Sequence, residues 1–121
     1  MPLVLVTANG FRCSGMVVGS GLKTIGELLT VWVADALTCE DPGGHLAKDD
    51  IEVRFSMRSG LDVGGEQYAL EVIVFANDFP SRRQNLEERC CAVRDKLRTT
   101  LTPDVHGSVW IRLAPAAFAE F

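Results

Sequence analysis

Between residues 51 and 58 the side chains alternate without a break: Ile51, Val53, Phe55 and Met57 stand against Glu52, Arg54, Ser56 and Arg58. A repeat of two residues is that of a β-strand, so this segment can bury one face and leaves the other polar or shared with a partner. Tyr68 to Phe75 behaves differently, being apolar almost throughout with Glu71 as its lone interior charge, the pattern of a strand in a central position. Pro2 to Thr7 is a third short apolar run, punctuated by Asn9-Gly10, and Ser108 to Leu113 is a fourth.

Two segments repeat at three and four residues instead. Leu22, Ile25, Leu29, Trp32 and Ala36 fall on one helical face before Asp41-Pro42-Gly43-Gly44, and Leu86, Cys90, Val93, Leu97 and Leu101 do so before Thr102-Pro103. Ser81-Arg82-Arg83-Gln84, behind Pro80, fits a capping box at the start of the second helix. The order is therefore βαβ followed by βαβ. An α/β fold follows, with a four-stranded sheet and two helices on one face, whose opposite face is left to solvent or to oligomerisation.

At 121 residues, 47% of them hydrophobic, residues 1–121 form a single domain with enough apolar material for a two-layer core. A net charge of -4 with no basic tail gives no reason to expect nucleic acid, and no apolar run has the length of a membrane span. With no signal-peptide pattern the expected location is cytoplasmic. Cys13, Cys39, Cys90 and Cys91 form no CxxC motif and are expected to be reduced, with Cys90 in the helix stripe acting as a small core hydrophobe. His45 and His106 are too sparse for a metal site, and Gly19-Ser20-Gly21 lacks a Walker lysine and a full dinucleotide fingerprint, so neither metal nor cofactor is expected.

Pro2 has two readings. It can simply begin an edge strand, which proline tolerates. Alternatively, methionine aminopeptidases remove Met before proline, and the mature chain then begins with a secondary amine. Buried among apolar strands and cations, such an amine loses basicity and can serve as a base near neutral pH. Arg112, between Ile111 and Leu113, points away from their face toward a cleft or subunit junction. Arg54 and Arg58 on the polar strand face read as solvated or intersubunit salt-bridged rather than catalytic. Arg82 and Arg83 sit in the first turn of the second helix, where the dipole disfavours cations; a phosphate or carboxylate ligand would explain them, but the plain surface reading is preferred.

A leading proline, two βαβ units and a compact size resemble the tautomerase superfamily, whose members use the N-terminal proline as acid or base. The likeness is greatest to the cis-3-chloroacrylic acid dehalogenase branch, through Gly65-Glu66-Gln67-Tyr68 before the third strand, Leu86-Glu87-Glu88-Arg89 on the second helix, Val109-Trp110-Ile111-Arg112 in the last strand and Glu120-Phe121 at the tail. Where that branch carries an arginine pair between the third strand and second helix, this chain has Phe75-Ala76-Asn77-Asp78.

The resemblance implies a tautomerase-like β-α-β fold, a small-molecule substrate and a homotrimer or a multiple of trimers. It implies proton shuttling by Pro2 on a small carbonyl/enol or unsaturated acid. Arg12, at the place of a substrate-binding arginine in 4-oxalocrotonate tautomerase, and Arg112 are the candidates to polarise an enolate oxygen. Glu120 is the candidate to activate water in a hydratase or dehalogenase variant. The competing reading is a non-catalytic ferredoxin-like or tautomerase-fold domain serving as a structural or binding unit.

Overall fold

The computed structural model describes residues 2–9, 20–65, 67–115, 117 and 119–121. The elements run β1 (Leu3–Ala8), α1 (Ser20–Leu37), β2 (Glu52–Met57), β3 (Leu70–Asn77), α2 (Pro80–Gln84), α3 (Leu86–Thr100) and β4 (Gly107–Ala114), with a 3-10 turn at Lys48–Asp50. Arg12, Cys13 and the glycines at 10, 15 and 19 lie outside the described residues.

The strands form one sheet in the order β2-β1-β3-β4. β1 pairs parallel with β2 and β3 parallel with β4, while β1 and β3 are antiparallel neighbours. Each parallel pair needs a crossover, supplied by α1 in the first half and by α2 and α3 in the second. The apolar β3 is thus an internal strand, as its composition demands, and the alternating β2 is an edge.

Side-chain alternation divides the sheet into two faces. Val4, Val6 and Ala8 of β1, Val72 and Val74 of β3 and Ile111 of β4 are buried toward the helices. They meet Leu29, Val33 and Leu37 of α1 and Val93 and Leu97 of α3 in one core cluster. Cys90 packs against this cluster, with Sγ 3.2 Å from the Val109 carbonyl oxygen, and burial raises its thiol pKa above the ordinary value. The small-hydrophobe reading of that residue therefore holds.

The opposite face carries Leu3, Leu5, Ile73, Phe75, Trp110 and Arg112, with Leu5, Ile73 and Trp110 in one register row. No described helix covers it, and Trp110 is 58% exposed.

The second helical region differs from its sequence reading. No side-chain cap forms at the start of α2, whose N-cap is Phe79, and the backbone breaks at Asn85 (φ -133, ψ 38) before α3 begins. Pro80 at the first position of α2 accounts for the early start, because its fixed φ suits a first helical turn and its missing N–H would be unpaired there anyway.

Leu29 is fully buried at the centre of the α1 contact with the sheet. Leu29→Ala is expected to lower stability by about 2–5 kcal/mol in urea unfolding; a change below about 1 kcal/mol would contradict this packing.

Candidate functional site

Pro2 is buried immediately before β1, and its carbonyl accepts the Glu52 N–H at 3.2 Å, which ties it to the start of β2. Because β1 and β3 are antiparallel, the start of β1 lies beside the end of β3, where Ala76 and Asn77 lead into Asp78 and Phe79. β4 ends at the same edge, with the Asp78 N–H donating to the Ala114 carbonyl at 3.2 Å. The ends of β3 and β4 therefore lie on the side of Pro2, and Glu120 is found at the same place.

A cavity of about 340 Å³ occupies this end of the sheet, lined by Pro2, Gly43, His45, Leu46, Asp50, Asn77, Phe79, Arg82 and Glu120. Of the four residues singled out in sequence, Pro2 and Glu120 come together here. Arg112 does not line this cavity; it is exposed on the open sheet face, in register with Phe75, which in turn pairs with Leu3. Arg12 lies outside the described residues.

Arg82 reverses its sequence reading. Expected on the surface, it is only 1% exposed. Its Nε donates to the Leu37 carbonyl at 2.8 Å, its Nη1 donates to the Asn77 carbonyl at 3.1 Å, and its guanidinium lies 4.7 Å from the centre of the Phe79 ring. The physical reason is at the other end of the molecule's first helix. α1 has no basic residue in its last turn, so its terminal carbonyls, which carry the negative end of the helix dipole, must be satisfied from elsewhere.

Arg89 completes that arrangement, donating from Nη1 to the carbonyls of Ala36 at 2.8 Å and Thr38 at 3.0 Å, while Asn85 Oδ1 accepts from its Nε at 2.6 Å. Two arginines from the second half of the chain thus hold three successive carbonyls at the end of α1. Burial pushes the Arg82 guanidinium down from its ordinary value, with Arg89 acting in the same direction and Cys39 and Asp41 opposing it. It stays protonated, because an arginine starts from so high a value. The cavity consequently holds a fixed positive charge in a dry wall, where charge acts more strongly than in water.

Arg83, one residue on, remains at the surface with its Nε 2.8 Å from Asp78 Oδ1. Asp41 secures α2 from outside: its Oδ2 accepts the Ser81 N–H at 3.2 Å. Among the described residues no group of three or more His, Cys, Asp or Glu side chains is placed to hold a metal ion, and no helix is long and apolar enough to cross a membrane.

Two predictions follow from these contacts. Replacing Arg82 with Met leaves the Leu37 carbonyl without its donor and the Asn77 carbonyl with only the Phe79 N–H, and an unsatisfied buried group costs about 1–3 kcal/mol, so thermal unfolding should show a loss of that order, whereas an unchanged midpoint would contradict the capping role. Asp41 has its carboxyl held below the ordinary 3.8, chiefly by the Ser81 hydroxyl and then by the Ser81 N–H acting against desolvation. A depressed folded-state pKa means that its stabilisation is present above 3.8 and is lost as pH falls through the lower folded value. Asp41→Asn should therefore flatten the decline of stability below about pH 4, measured by denaturation at several pH values; an unchanged slope would contradict it.

No protein-family model matches the chain, and no curated protein matches it. Solved structures do. Ps01740 superposes with a TM-score of 0.60 at 16% identity, covering 98% of this chain and 99% of that one. N1, a member of the cis-3-chloroacrylic acid dehalogenase family, gives 0.54 at 17% identity over 93% of this chain and 75% of its own. A fused 4-OT described as a symmetric trimer gives 0.57 at 14% identity over 93% and 85%. These neighbours are tautomerase-superfamily members, and the chain has the β-α-β fold of that superfamily.

Proposed function

We propose that the chain is a tautomerase-type enzyme in which Pro2, freed by removal of Met1, moves a proton on a small carbonyl/enol or unsaturated acid substrate. The observation that carries this reading is the convergence of Pro2, Arg82 and Glu120 on one cavity of about 340 Å³, a size suited to a small organic acid. In tautomerisation the Pro2 nitrogen removes a proton from the carbon beside the carbonyl. The negative charge that develops on the carbonyl oxygen is stabilised by the Arg82 guanidinium. The Pro2 ammonium then returns the proton to a different atom of the enolate, so the reaction has no net loss or gain.

Arg82 takes the place that the sequence reading gave to Arg12 and Arg112. Arg12 remains a candidate from the connection after β1. Arg112 would reach a substrate only across a subunit junction, because it stands on the sheet face away from the cavity. Glu120 suits the hydratase variant: its carboxylate takes a proton from water, the water oxygen bonds to the unsaturated carbon, and the Pro2 ammonium protonates the neighbouring carbon.

The partner expected is two further copies of the chain. Support comes from the uncovered apolar row Leu5, Ile73 and Trp110 and from the trimeric assembly of the 4-OT neighbour. A second reading, a tautomerase-fold binding or structural unit, is favoured by one observation: two of the Arg82 nitrogens are already engaged by backbone carbonyls.

Kinetics separate the two readings. With phenylpyruvate or a small 2-oxo acid as probe, Pro2→Ala should reduce enolisation by about 10²- to 10⁴-fold while leaving the folded state intact by circular dichroism. An unchanged rate in that variant would remove the amine mechanism. Light scattering should give the mass of a trimer or a multiple of it, and a stable monomer over a broad concentration range would overturn the assembly.

A further inference from the structure

A second cavity, of about 400 Å³, lies under the C-terminal half of α3, at the opposite end of the sheet from Pro2. Its floor is made by Leu70 and Val72 of β3 and Val109 of β4, and its wall by Leu97 and Leu101. Register fixes the separation. Leu70 pairs with Ala8 at the far end of β1, so roughly 20 Å of strand lies between this cavity and Pro2. No described residue lines both cavities.

The mouth has a definite electrostatic character on a chain whose net charge is -4. Arg94, Arg98 and His106 contribute to the lining. Arg94 is paired with Asp95 at 2.8 Å, and Asp104 lies close enough to His106 for its pKa to be lowered by that ring, after the larger effects of the Thr102 hydroxyl and its own backbone. Arg98 is different. It is exposed at the rim and forms no ion pair among the described residues. An apolar chamber with a single uncommitted guanidinium at its mouth has the layout of a pocket that takes an apolar body and fixes an anionic end.

We propose that this cavity is a second ligand site, separate from Pro2, for a small amphipathic monocarboxylate: an acyl or aryl-alkyl chain seated on Leu70, Val72 and Val109 with its carboxylate on Arg98. A carboxylate is preferred over a neutral polar head because Arg98 can donate two parallel hydrogen bonds to its two oxygens. The volume sets the body at about ten carbon atoms or fewer, within the small end of ligand pockets.

Decanoate is the probe, and two-dimensional amide NMR of the full chain is the readout. Saturable shifts are expected at Leu70, Val72, Leu97 and Val109 and not at Asn77 or Phe79. Arg98→Glu, a surface change that leaves the core alone, should weaken decanoate binding at least about 10-fold while leaving binding of the neutral decanol within about 2-fold. Val109→Phe should fill the floor and abolish both, with its fold checked by the dispersion of the same spectra. Pro2→Ala should leave decanoate binding unchanged. Shifts confined to the Pro2 end, equal weakening of decanoate and decanol by Arg98→Glu, or no saturable shift up to millimolar decanoate would each overturn the proposal.

Discussion

The end of α1 is the point on which the rest of this structure depends. A helix that stops with no basic residue of its own leaves its last carbonyls facing the interior, and burying them unpaired would cost several kcal/mol. Arg82 and Arg89 answer that demand from the other half of the chain, bonding the carbonyls of Ala36, Leu37 and Thr38. In doing so they join the two βαβ halves by something more directional than core packing. Arg82 also binds the Asn77 carbonyl at the end of β3, so the exit of that strand is fixed in the same stroke.

The proposed chemistry grows out of this structural role. A cation drawn inward to cap α1 necessarily sits beside the start of β1, because β1 and β3 are antiparallel and the end of β3 is what Arg82 holds. Pro2 thereby shares a cavity with a buried positive charge. Such a charge resists replacement by lysine, whose ammonium cannot span two carbonyls and a ring face with the same planar fork. Stability and the proposed catalysis are in this sense supported by one side chain.

Much of the fold was legible in the chain. The alternation at Ile51 to Arg58 defined a strand with one apolar face, the almost wholly apolar run into Phe75 defined a central one, and the 3.6-residue stripes defined both main helices. Strand order was not legible, since a βαβ-βαβ sequence does not state which edges meet, and the pairing of β1 with β3 comes from tertiary packing. The break at Asn85 was hidden because the apolar stripe from Leu86 carries no sign of where the helix begins. Arg82 was missed for a definite reason: an arginine in a first helical turn looks solvated. The available signal was the mismatch itself, a cation at the wrong end of one dipole and a preceding helix with no cation at its own end. Pro2 and Glu120, 118 positions apart, were linked only by family resemblance, and the parallel pairing of β3 with β4 supplies the physical route that brings them together.

The central claim is that the Pro2 nitrogen is a free amine sharing its cavity with the Arg82 cation. Covalent labelling tests it most directly. A small 2-oxo acid bearing a conjugated triple bond offers its carbonyl oxygen to Arg82 and an electrophilic carbon to Pro2; addition of the N–H across the triple bond retains every atom of the reagent. Peptide mass mapping should therefore find one whole-reagent mass on the peptide beginning at Pro2, with labelling slowed by a competing 2-oxo acid. Label found on Cys39 or Cys91 with the Pro2 peptide unmodified, or an N-terminal peptide that still begins with Met1, would contradict the account.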